Sequence, residues 1–206
     1  VFSFHPVKII TTAEGGVAVT NTESLAQKMM LLRSHGITRD PDLMDRAPDG
    51  PWYYQQIDLG FNYRMTELQA ALGVSQMERL DSYVARRHEL CNRYDELLAD
   101  LPIKTPWQHP DSYSGRHLYV IRLDLSKIRH SHSEVFQKLR EADVGVNLHY
   151  IPVHLQPYFS RKPYPNGPFP ESEQYYREAI SLPMYPLLTN EQQDYVVNTL
   201  AEATVP

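Results

Sequence analysis

Val1-Phe-Ser-Phe-His-Pro-Val-Lys-Ile-Ile-Thr-Thr-Ala-Glu-Gly-Gly16 is the stretch from which the rest of this 206-residue chain is read. Val1 to Phe4 has the composition of the end of a buried strand and Gly16-Val-Ala-Val-Thr20 that of another, so Lys8 falls in a short connection between two apolar runs. Taking an ammonium group into a low-dielectric site disfavours its charged form, and a neutral amine attacks carbonyl carbon. Pro6 stiffens the approach, while Gly15 and Gly16 permit a sharp turn or a close backbone contact. The plainer alternative is a lysine that extends its head into water.

Two further motifs lie downstream, Asn62-Tyr-Arg-Met-Thr-Glu-Leu-Gln-Ala-Ala-Leu-Gly73 and His149-Tyr-Ile-Pro-Val-His154. With Ser3-Phe-His-Pro-Val-Lys8 and Thr11-Thr12-Ala-Glu-Gly-Gly16 they resemble, in the same order, the signatures of the DegT/DnrJ/EryC1/StrS sugar aminotransferases. The His-Pro-Val-Lys and Thr-Thr-x-Glu-Gly-Gly wording is most similar to the branch that aminates UDP-4-keto-6-deoxy-N-acetylhexosamines in pseudaminic acid synthesis. The resemblance implies an α/β fold of the aspartate-aminotransferase type, the fold type I of pyridoxal phosphate-dependent transferases. It also implies that the chain corresponds to about the C-terminal half of a member, with the group that pairs the pyridine nitrogen and the helix that binds the phosphate lying outside it.

By the same resemblance Lys8 bonds pyridoxal 5'-phosphate covalently and serves as the catalytic base and acid, and Ser3 hydrogen-bonds the phosphate. Asn62 would reach the cofactor phosphate of a partner subunit, which implies a homodimer with shared active sites. Asn147, His149 and Tyr150 would lie beside the nucleotide-sugar substrate, with an amino acid such as glutamate as donor. His5 is a candidate substrate contact, and packing beside the strand is an equal alternative. Two competing functions are a sugar dehydratase, whose members carry histidine in place of the lysine, and a non-catalytic sugar-binding or oligomerisation module. Lys8 argues against the first.

Composition sets outer bounds. Apolar residues make up 42% and charged residues 22%, ordinary for a globular protein. A net charge of −5 without a basic stripe argues against a nucleic-acid partner. No apolar run approaches the roughly 20 residues of a membrane-spanning helix. The single cysteine, Cys91, sits in a helical pattern and reads as core, so a reducing, cytoplasmic setting is expected. Asp40, Asp42, Asp45 and Asp49 do not follow the EF-hand spacing, and the histidines at 130, 132, 149 and 154 lack a Cys pair or HExxH helix, so no metal is expected.

The pattern along the chain predicts a helix capped by Thr20 and Glu23 and ended by Gly36, then an irregular loop to Ile57. A helix capped by Thr66 and Gln69 is predicted to run to Leu101, about 50 Å long at 1.5 Å per residue. It sets the domain division, with 1–101 completing a large cofactor-binding domain and 102–206 forming a small one. A strand at His117–Asp124, a helix starting with Ser131 and Glu134, and a strand at Val146–Tyr150 make a strand-helix-strand unit. Six prolines between Pro152 and Pro170 suggest a substrate lid, followed by a helix at 171–179, a strand at 180–182 and a capped helix from Thr189.

Overall fold

Leu90, Cys91, Tyr94 and Leu98 recur at helical spacing and are all essentially inaccessible to solvent. They define the inner face of the helix that organises the second of two compact units, Val1–Leu80 and Asp81–Pro206. The computed structural model describes residues 1–161 and 168–204.

In the second unit, helix α3 (Leu80–Leu97) packs into a core shared with a three-stranded antiparallel sheet. We number its strands in chain order, after four two-residue strands in the first unit, as β5 (Ile103–Lys104), β6 (Tyr119–Leu123) and β7 (Ala179–Leu182). They lie in the order β5-β6-β7. Tyr119, Ile121 and Leu123 point into the core and alternate with partly exposed Val120 and Arg122, as the strand period requires. Helices α4 (His132–Glu141) and α7 (Asn190–Thr204) pack together, placing Val135, Leu139, Val196 and Leu200 in the same core. Each buried aliphatic side chain of this kind contributes roughly 1.5–3 kcal/mol of transfer free energy. Shorter pieces are α5 (Pro157–Ser160) and α6 (Pro170–Glu178).

The first unit holds two short antiparallel pairs, β1 (Phe2–Ser3) with β2 (Gly16–Val17) and β3 (Ile37–Thr38) with β4 (Gln55–Gln56). Helices α1 (Glu23–Arg33) and α2 (Glu67–Met77) accompany them, and neither has a buried residue. Gly36, at φ 68°, ends α1 and lets two backbones touch, since a Cβ there would stand 1.9 Å from the Asp58 carbonyl oxygen.

Several sequence-based expectations are corrected. The helix expected from Thr66 to Leu101 is two helices, broken at Glu78–Arg79, and α3 belongs to the unit that begins at Asp81. Thr20 does not cap α1; Thr22 occupies the N-cap without a side-chain bond, while the Thr20 hydroxyl accepts from the Thr22 N–H. The stretch Val1–Phe4 is not buried: Phe2 is 58% exposed, because β1 pairs with β2 alone. Val146–Tyr150 is not a strand but a single antiparallel bridge between Asn147 and Ser181. The proline-rich segment 152–170 forms a short 3-10 turn at Val153–Leu155 and α5, with 162–167 outside the described residues.

Candidate active site

Backbone hydrogen bonds close the segment 4–15 into a loop around Lys8. Phe4 N–H donates to the Gly15 carbonyl at 2.9 Å, and Thr12 N–H to the Phe4 carbonyl at 3.0 Å. The two threonines brace it from within: the Thr11 hydroxyl donates to the Phe4 carbonyl at 3.0 Å and the Thr12 hydroxyl to the Glu14 carbonyl at 2.8 Å. Thr12 is buried although polar, and its local bonds satisfy it. Gly15 adopts φ 151°, and a Cβ there would lie 2.4 Å from Thr12 Oγ1 and 2.7 Å from Met65 Cε. Any side chain at Gly15 would therefore push apart the loop and the segment that follows Asn62. The sequence singles out the glycines for their backbone freedom and the threonines only as part of a motif; their bracing role, which includes the Thr11 hydroxyl accepting from the Ala13 N–H at 2.9 Å, shows only in the structure.

Within this frame the Lys8 N–H donates to the His5 carbonyl at 2.9 Å, and the Lys8 side chain is half-buried. Among the described residues its ammonium has no ion-pair partner. The nearby carboxylate, Glu14, instead stands 3.9 Å from His5 Nε2. The other His5 nitrogen, Nδ1, accepts from the Val7 N–H at 3.5 Å, so this exposed histidine closes the turn before Lys8. The exposed Ser3 hydroxyl accepts a long 3.4 Å bond from the His5 N–H. A hydroxyl and an uncommitted amine on one short loop suit a phosphorylated aldehyde, the hydroxyl as a phosphate donor that adds no charge and the amine as the nucleophile.

Asn62 bridges Ser34 through its backbone, between Phe61 N–H to the Leu32 carbonyl at 2.6 Å and Tyr63 N–H to the Arg33 carbonyl at 2.9 Å. Its side chain is exposed and makes no hydrogen bond among the described residues, while Phe61 and Tyr63 stack at 4.8 Å on alternate positions. The aspartates at 40, 45 and 49 serve the 39–54 loop: Asp40 caps the 3-10 turn through Asp42 N–H, Asp45 bonds Gln55, and Asp49 faces Arg46.

The second unit carries the other candidates. Asn147 and His149 line a cleft of about 700 Å³ with Ser181, Met184, Tyr185 and Tyr195. Asn147 and Ser181 exchange backbone bonds at 2.8 and 3.2 Å. The His149 ring packs edge-on against Tyr150, which is 70% exposed. His5 and Lys8 therefore share the loop that follows Ser3 at the end of β1, Asn62 belongs to the same unit, and Asn147, His149 and Tyr150 form a group in the other.

The scaffold is that of the pyridoxal phosphate-dependent transferases of fold type I, and solved sugar aminotransferases match it over nearly its whole length. Helicobacter pylori PseC, an aminotransferase involved in the biosynthesis of pseudoaminic acid, matches with a TM-score of 0.86 and 29% identity, over 98% of this chain and 52% of its own. The putative sugar aminotransferase Spr1654 from Streptococcus pneumoniae, in its PMP-form, matches with a TM-score of 0.84 and 28% identity, over 98% of this chain and 50% of its own. A family model, described as the DegT/DnrJ/EryC1/StrS aminotransferase family, matches residues 1–201, and the chain belongs to that family. The spore coat polysaccharide biosynthesis protein SpsC of Bacillus subtilis is 36% identical over 205 residues, 98% of this chain and 52% of SpsC. The chain spans about half the length of the curated relatives it matches.

Proposed function

We propose that this chain carries the catalytic lysine of an enzyme that transfers an amino group from an amino acid donor such as glutamate to C4 of a UDP-linked 4-keto-6-deoxy-N-acetylhexosamine. The product would enter a surface polysaccharide or glycan. The observation that carries this reading is Lys8, half-buried in a loop braced by Thr11, Thr12 and Gly15 and without a carboxylate partner among the described residues. The names of PseC and SpsC support a sugar product of this kind.

Pyridoxal phosphate, when bound, supplies the electron sink that makes the donor's α-proton removable. Lys8 Nζ is the group that would hold the cofactor, and once the donor's own amine has replaced it there it would be free to carry the proton away from the donor's α-carbon. Ser3 donates its hydroxyl proton to a phosphate oxygen. Asn62 offers an exposed amide to the phosphate in a partner subunit, so the working unit is a cytoplasmic homodimer. Exposed apolar side chains on the first unit support an interface there, with Tyr63 75% and Leu68 85% accessible. Asn147, His149 and Tyr150 hold the sugar nucleotide.

The test is chemical. Incubation with pyridoxal phosphate, borohydride reduction and peptide mapping should place the pyridoxyl group on Lys8, and Lys8→Ala should abolish the label while leaving the far-ultraviolet circular dichroism unchanged. Labelling that falls instead on Lys28 or Lys104 would overturn the assignment.

A further inference from the structure

His149 is held from below by a residue of another strand. Ser181, buried in the middle of β7, places its Oγ 2.7 Å from His149 Nδ1. The backbone of the same serine clamps Asn147, donating its N–H to the Asn147 carbonyl at 2.8 Å and accepting from the Asn147 N–H at 3.2 Å. One residue thus holds the ring of His149 and the backbone of Asn147, two of the three residues assigned above to the sugar nucleotide. We propose that Ser181 is the positioning residue of the substrate side, and that its hydroxyl donates to Nδ1 and so keeps His149 in the tautomer with the proton on Nε2.

The direction of the bond follows from what each group can do. A hydroxyl has one proton to place and two lone pairs, and a buried donor left without an acceptor is the costlier omission. Among the described residues the Ser181 Oγ makes one hydrogen bond, to Nδ1. Nδ1 must then be the unprotonated nitrogen, which leaves the proton on Nε2. Whatever acceptor Nε2 meets, it meets as a donor. That is the polarity needed to hold the oxygens of a sugar hydroxyl, a keto group or a diphosphate. The cleft wall that contains Asn147, His149 and Ser181 is therefore a preset hydrogen-bonding edge, with tautomer and ring orientation fixed before any ligand arrives.

This role rests on the substrate reading above, whereas the tautomer does not, and one sample separates the two. Nitrogen-15 spectra of the histidine-labelled chain at about pH 8, above the ordinary histidine range, should show His149 with a lone-pair Nδ1 and a protonated Nε2. In Ser181→Ala, with the remaining amide spectrum unchanged, the two nitrogens should move towards values averaged over both tautomers. A wild-type His149 protonated on Nδ1, or a Ser181→Ala signal identical to the wild type, overturns the proposal; the wild-type measurement decides even where the variant does not fold. Titration with UDP-N-acetylglucosamine should then perturb the His149 signal, with binding about fivefold weaker in Ser181→Ala, as for the loss of one hydrogen bond. A His149 tautomer as proposed together with a signal that the nucleotide sugar leaves unmoved overturns the substrate reading alone.

Discussion

Lys8 and Cys91, a nucleophilic amine and a nucleophilic thiol, differ in what surrounds them, and the difference predicts opposite behaviour. Lys8 stands on an open loop, whereas Cys91 faces inward from α3 with no accessible surface. Burial, with a smaller push from Asp95 and against the opposing pull of Arg116 and Arg87, raises the Cys91 thiol to about 11. The thiolate is the reactive form, so at pH 8 Cys91 should resist iodoacetamide in the folded chain and react completely in urea. Full alkylation under native conditions would show that the core around α3 is not closed. Cys91 was legible as core because a cysteine in a helical stripe needs only local pattern to place it. Ser181 was not legible, since its bond to His149 crosses 32 positions and joins a strand to an irregular segment. Lys8 stands out by its motif, but the expected burial of the strand before it does not hold, because a strand's burial depends on neighbours that its own residues do not specify.

At the scale of elements, two of the local capping signals lead to the right helix starts, while the features that depend on distant packing are not legible. The capping boxes at Thr66–Gln69 and Ser131–Glu134 both form, whereas the equally local one expected at Thr20–Glu23 does not, since the helix starts two residues later with Thr22 at its N-cap. The break at Glu78–Arg79 between α2 and α3 escaped notice, since no proline or glycine marks it and the apolar stripe continues past it. The Ser131 box gives a prediction with a defined sign. Glu134 Oε2 accepts from the Ser131 N–H at 2.7 Å and from its hydroxyl at 2.8 Å, and these bonds hold the carboxyl below the ordinary glutamate value. A carboxylate lowered in the folded state stabilises above its unfolded pKa, and that contribution is lost as the pH falls through the folded value. Urea titrations of Glu134→Gln should therefore show a smaller loss of stability than the wild type as the pH falls from about 5 to about 3. Ser131→Ala should cost about 1 kcal/mol at neutral pH. An identical pH dependence in Glu134→Gln and wild type would mean that the box does not persist in solution.

Over the whole molecule the core is distributed unequally. The buried apolar cluster runs from Leu90 to Ala203, and all of it belongs to the unit that begins at Asp81. In Val1–Leu80 the buried side chains are Ile10, Thr12 and Thr38, two of them polar. Two-residue strand pairs and helices without buried residues cannot offset the roughly 1–2 kcal/mol per residue that backbone ordering costs. Opening of the first unit should accordingly require much less free energy than global unfolding, while β6, β7 and the inner turns of α3 open only with the second unit as a whole. Hydrogen exchange read by mass spectrometry gives the comparison directly. Amides of α1, α2 and β3 should exchange at least roughly a hundredfold faster than those of β6 and α3 once intrinsic rates are divided out. Saturation with pyridoxal phosphate should slow the first unit selectively, since ligand binding stabilises the state that binds. The slowing should reach the amides of Phe4, Lys8, Thr12 and Glu14, whose backbone bonds close the loop that carries the lysine. Equal protection in both units would show that the first is held by forces beyond its own buried side chains. Slowing confined to the second unit on adding cofactor would move the cofactor site away from Lys8.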